Sequence, residues 1–166
     1  VSGGDGNDTI LADDGDDTVN GNLGNDSILG GDGLDSLAGD DGADTINGNS
    51  GNDIISGGTG TDLVFGGAGN DIVNGGDDDD TILGQSGSDS LFGDAGADFV
   101  DGGNAADSIE GGTGNDTLNG MAGADTIVGR DGDDVIFGGT GADSLFGDSS
   151  GTIVADFGND LIFGQG

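Results

Sequence analysis

The sequence predicts an all-β protein made of one short unit repeated along the chain, and three observations carry that prediction. Cut into blocks of nine from Gly3, the 166 residues stay in register for sixteen blocks without a gap, ending at Phe146. Position eight of every block is aliphatic, from Ile10, Val19 and Ile28 through to Ile127, Ile136 and Leu145, while position seven is mostly Thr or Ser. Side chains alternate in direction along a strand, so position eight faces inward and its neighbours face out. The composition supplies 42 Gly and 7 Phe but no Trp, Tyr, Pro or Cys, which excludes a core of large interlocking side chains and leaves a thin, regular one.

Within a block, Gly-x-x-Gly-x-Asp reads as a turn and the following x-aliphatic-x as a very short strand. Position one is Gly except at Ala12, and position four is Gly except at Asp78 and Ala105. Glycine serves where the backbone enters positive φ or passes close to a neighbouring turn, so Asp78 and Ala105 are expected to strain their turns. Position six is Asp without exception: Asp8, Asp17, Asp26, Asp35, Asp44, Asp53, Asp62, Asp71, Asp80, Asp89, Asp98, Asp107, Asp116, Asp125, Asp134 and Asp143.

Gly111 to Asn119 reads G-G-T-G-N-D-T-L-N. It resembles the calcium-binding nonapeptide repeat of the RTX (repeats-in-toxin) family, G-G-x-G-x-D-x-U-x with U a large aliphatic residue. The resemblance implies a right-handed parallel β-roll (a β-solenoid) with two nonapeptides per coil and Ca²⁺ between like turns of neighbouring coils. It further implies that the position-six Asp side chains, Asp160 among them, hold the ions together with backbone carbonyls of the same turns, such as Gly57, Gly58, Gly60, Gly111, Gly112 and Gly114. Sixteen blocks would form two files of eight, and the gaps within them about fourteen calcium sites. Carboxylates stacked about 5 Å apart repel by roughly 0.8 kcal/mol per pair even at water's dielectric. Without metal the roll is therefore expected not to hold, and folding and calcium binding become one equilibrium.

The uninterrupted repeats span 1–146. Residues 147–157 form an irregularity without the Asp, and 158–166 resume the pattern with Asp160 and Ile162. Val1 and Ser2 fit positions eight and nine of a preceding block, which reads as a piece of a longer array. Outward positions turn apolar in clusters: Ile54, Leu63, Phe65 and Ile72, then Val135, Phe137 and Phe146, then Leu161 and Phe163. Either a roll with so small an interior leaves apolar residues on its faces, or these clusters dock a partner or a second copy. Open solenoid ends offer the same chance of self-association.

A net charge of -33, with Arg130 the only base, repels nucleic acid and anionic membrane surfaces, and no apolar run is long enough to insert in a bilayer. Low hydrophobicity with this charge predicts disorder in the metal-free state. Gly147-Asp148-Ser149-Ser150-Gly151 matches a nucleophile elbow, yet no His is present to act as its base, so no catalytic residue is expected and the chain reads as a non-enzyme. The favoured function is a calcium-binding structural module of a secreted or cell-surface bacterial protein, such as an adhesin, surface-layer component or filament. Export by type I secretion from a Gram-negative cell is what the resemblance implies. The alternative is the noncatalytic C-terminal part of a secreted enzyme or toxin. Ice binding is remote, because turn positions three and five show no regular rank of Thr.

Overall fold

The computed structural model describes residues 1–147 and 161–163. Among them every regular element is a strand, and the strands form two nine-stranded sheets. Consecutive strands alternate between the sheets. The first sheet takes Ser2–Asp5, Thr18–Leu23, Ser36–Asp41 and every second strand to Ser144–Phe146, and the second takes Thr9–Leu11, Ser27–Asp32 and their successors to Leu161–Phe163. All pairings are parallel, and each residue meets its own position in the next coil, as Ile28 meets Ile46 and Leu37 meets Ile55. The molecule is a parallel β-solenoid of about eight turns, in which two nonapeptides make one coil. Among the described residues no helix is long and apolar enough to cross a membrane.

The core is the position-eight column. Ile10, Val19, Ile28 and their counterparts to Ile136 are buried, contributed alternately by the two sheets. Burying each aliphatic side chain is worth roughly 2 kcal/mol, and the in-register ladder stacks like on like, where a slip of one residue would turn every aliphatic side chain outward.

Strands are longer than the three residues expected. Most run six, from position seven through position three of the next block, as Ser36–Asp41 and Thr45–Ser50 do. The ladder skips the buried position-one glycine and resumes beyond it, pairing Asp40 with Gly58 and Asp41 with Thr59. Successive coils share one backbone conformation, so amides past the aliphatic residue also find partners in the next coil. Only Thr9–Leu11, Phe99–Asp101, Thr117–Asn119, Val135–Phe137, Ser144–Phe146 and Leu161–Phe163 stop at three residues.

The apolar cluster expected in the middle of the chain is divided between opposite faces. Ile54 and Ile72 pair on the first sheet, whereas Leu63 and Phe65 lie on the second. Near the C-terminal end Phe137 stacks on Phe163 with ring centroids 5.2 Å apart. Residues 148–160, with the irregular segment, the Ser149 motif and Asp160, lie outside the described residues, as do 164–166 and the Leu161 and Ile162 side chains.

Candidate metal centres

The turns connect the sheets in two rows. Asp8, Asp26, Asp44 and every second position-six Asp to Asp134 form the row leading from the first sheet to the second, and Asp17, Asp35, Asp53 to Asp143 form the row leading back. Positions two and four of the turns take positive φ, at Gly15 and Gly58 for example. Asp78 (φ 79) and Ala105 (φ 78) adopt it at position four without being glycine, as the sequence suggested. Position two does so in every block, including Asp13, Asn22, Asp40, Asn49, Gln85, Asp94, Met121 and Arg130. Sequence reasoning missed this. Asp and Asn at five of these positions were the available signal, because both tolerate the left-handed region; Gln85, Met121 and Arg130 carried none.

Inter-coil hydrogen bonds continue through the turns. Position-four amides donate to position-three carbonyls of the next coil (Gly24 to Asp41, 2.8 Å), and position-seven amides to position-six carbonyls of the preceding one (Ser27 to Asp8, 2.9 Å). The position-five amide takes a side-chain acceptor where one exists: Asn25 N–H donates to Asn7 Oδ1 at 3.0 Å and Ser88 N–H to Asn70 Oδ1 at 2.9 Å. This second ladder of Asn and Asp was also not foreseen.

The position-six carboxylates divide their two oxygens between different tasks. Oδ1 accepts the amide N–H of the position-six Asp one coil earlier: Asp26 from Asp8 at 2.7 Å, Asp116 from Asp98 at 2.9 Å, Asp143 from Asp125 at 3.1 Å. These bonds run through both rows without a break among the described residues. Oδ2 is buried and has no hydrogen-bond partner in Asp8 and in Asp26 through Asp125 of the position-six series. The residues from Asp26 to Asp134 are only 1–3% exposed, while Asp8, Asp17 and Asp143 are partly exposed.

In most turns Oδ2 converges with a backbone carbonyl of the next coil on the bare face of the position-one glycine. A Cβ placed on Gly84 would lie 2.6 Å from both Asp89 Oδ2 and Gly102 O, and one on Gly66 would lie 2.7 Å from Asp71 Oδ2 and 2.9 Å from Gly84 O. Of the carbonyls expected from the sequence, those of Gly57 and Gly111 face position one of the adjacent coil, that of Gly58 faces Gly76, and that of Gly114 faces Gly132. Gly60 and Gly112 sit against the carbonyls of Gly42 and Asp94. Position-one carbonyls thus enter the inter-coil gap beside the orphaned carboxylate oxygen, and position-four carbonyls face position four of the adjacent coil.

Burial lifts these carboxyls well above their ordinary 3.8, to about 7 at Asp80, Asp107 and Asp116 and about 6 at Asp53, Asp62 and Asp71. The amide bond from the preceding coil opposes the rise, and neighbouring carboxylates, Asp62 and Asp98 in the case of Asp80, add to it. Asp44, Asp89, Asp98 and Asp125 move in the same direction, again chiefly through burial. The sequence reading gave stacking repulsion as the reason a metal is needed. In the structure desolvation is the larger cause, because Oδ2 has lost its water and gained no donor.

The donor set fits a hard cation. Among the described residues no three His, Cys, Asp or Glu side chains gather round one point. Each turn instead offers one carboxylate oxygen among carbonyl oxygens, and the chain has neither His nor Cys. Oxygen-only sites of this kind suit calcium, which takes six to eight oxygens, and not zinc or copper. The position-six carboxylates and the facing carbonyls are the groups that would hold the ion. When bound, it supplies the positive charge that each buried Oδ2 lacks.

A family model described as RTX calcium-binding nonapeptide repeat (4 copies) matches residues 2–37, 29–64, 38–73, 56–91, 74–109, 83–118, 101–135, 110–145 and 147–166. No curated protein matches the chain.

Proposed function

The chain belongs to the RTX calcium-binding nonapeptide repeat family, and on that premise we propose that it is the calcium-triggered structural module of a secreted or cell-surface bacterial protein. The family identity makes it a calcium-binding β-roll; the trigger and the location are the proposal. The observation that carries it is the file of buried, unpartnered Oδ2 atoms in each row of turns. Leaving a charged group buried without a partner costs several kcal/mol, and each coil touches only its neighbours, so the cost recurs along the axis. An ion in each gap removes it and ties coil to coil. Scarce calcium inside a cell then keeps the chain unfolded for export, and plentiful calcium outside folds it. The position-six Asp residues hold the ions, and the module itself performs no catalysis.

Sedimentation velocity in chelator and then in millimolar calcium tests the reading. The expected result is an expanded chain that becomes compact on adding calcium and expands again on chelation. A chain equally compact in both conditions would overturn it, and large assemblies formed only with calcium would point to a filament or surface-layer role.

A further inference from the structure

Every block of the uninterrupted array except one leaves the inner face of position one bare. The exception is Ala12. By position its methyl falls where, at glycines such as Gly66 and Gly84, Oδ2 of the position-six Asp meets the position-one carbonyl of the next coil. At Gly84 those two oxygens would each stand 2.6 Å from such a methyl carbon, nearer than a carbon and an oxygen pack without displacement. In block two the corresponding oxygens are Asp17 Oδ2 and Gly30 O.

The backbone around Ala12 holds its place. Its amide donates to Leu29 O at 2.9 Å, and Asp17 N–H still reaches Asp35 Oδ1 at 2.9 Å. Ala12 is partly buried against the aliphatic column. What differs is the carboxylate. Asp8 and Asp17 belong to the same coil and are both partly exposed. Asp8, whose block begins with Gly3, keeps its Oδ2 buried without a partner, whereas Asp17 Oδ2 is not among the buried, unpartnered atoms. An end effect would touch both residues, since each faces a complete next coil. On the face that meets Oδ2, position one, the methyl is the difference between their blocks.

We infer that Ala12 disables the calcium position of its own turn, so that the gap between Asp17 and the next coil in that row binds no ion while the gap beside Asp8 across the same coil does. The inference rests on the calcium reading above. Calcium then ties the first coil to the second along one row of turns alone, and its turn in the other row, with Asp13, Asp14 and Asp16 exposed, keeps its negative charge uncompensated in calcium.

Native mass spectrometry of the full chain in saturating calcium, backed by equilibrium dialysis, tests this. Ala12→Gly removes only a methyl and should bind one more calcium per chain than the unaltered protein. Gly84→Ala, which builds the same methyl into the middle of the same row, should bind one fewer; if it fails to fold, Ala12→Gly decides alone. Equal stoichiometry for Ala12→Gly and the unaltered chain, with both binding calcium, overturns the inference and leaves the calcium reading standing. No calcium bound by either chain overturns both.

Discussion

The two rows of turns have the same backbone and very different outer charge. Beyond Asp32, the row that leads from the first sheet to the second carries Asp40, Asp41, Asp77, Asp78, Asp79, Asp94, Asp131 and Asp133 in addition to its position-six residues, while the returning row carries no acid at positions two to five. Both rows nonetheless bury the position-six Oδ2 and bond Oδ1 to the preceding coil. Asp107, in the neutral row, is lifted to about 7, as Asp80 and Asp116 are in the acidic one. The comparison teaches that the site is made by the glycines and the stacked carboxylate. Outer acids modulate a site they do not create, because burial outweighs their Coulombic contribution in each case.

The largest effect expected from that comparison is at position six itself. Asp116→Ala in the acidic row and Asp107→Ala in the neutral row should each lower the number of bound calcium ions and strip Asp98 and Asp89 respectively of an amide acceptor. Each orphaned buried amide costs about 1–3 kcal/mol, in addition to the lost ion. Calcium titration and thermal melting should give similar losses for the two variants. Unchanged stoichiometry in Asp116→Ala would remove the assignment of that carboxylate, and a loss confined to the acidic row would show that outer charge builds the site after all.

An intermediate effect is expected from pH in the absence of calcium. Asp53, Asp62 and Asp71 titrate near 6 and Asp80, Asp107 and Asp116 near 7, against an ordinary 3.8, so the folded state takes up protons that the unfolded chain does not. Their contribution to stability is complete below 3.8 and disappears as pH rises through about 7. In chelator, β-structure followed by circular dichroism should therefore grow on acidification from pH 8 to pH 5, in both rows alike. A flat profile would contradict burial as the main cause of the shifts. Calcium at neutral pH and protons at low pH relieve the same buried charge.

The smallest effect is expected from the outer acids. Replacing Asp77, Asp78 and Asp79 together by Asn keeps a residue that tolerates positive φ at position four and removes charge from one row only. The number of bound ions should stay the same. Affinity should fall at low ionic strength, with the difference fading towards about 0.15 M salt as screening sets in. Loss of an ion from this variant would promote the outer acids from modulators to ligands.

The repeat made much of this architecture legible before any coordinates. An unbroken aliphatic column at position eight dictated which residues are inside, and the two nonapeptides per coil that the resemblance implied set Ile28 against Ile46 and Val64 against Ile82. The Asp column marked the turn, and Asp78 and Ala105 were recognisable as residues in a glycine's place. What could not be read was which backbone amides and side-chain oxygens bond across the coils. The six-residue strands depend on amides beyond the aliphatic position finding carbonyls in the next coil.

The sequence by itself therefore determined the period, the core column, the oxygen-rich turn and the family, because each is a property of one nonapeptide read against the next. Only the tertiary structure decided that one carboxylate oxygen is spent on the neighbouring coil's amide while the other is buried without a donor, and that Asp17, whose block opens with Ala12, stands apart from that series. Those outcomes arise where two coils touch, and the free energy of a buried charge depends on what surrounds it in space rather than on its place in the chain.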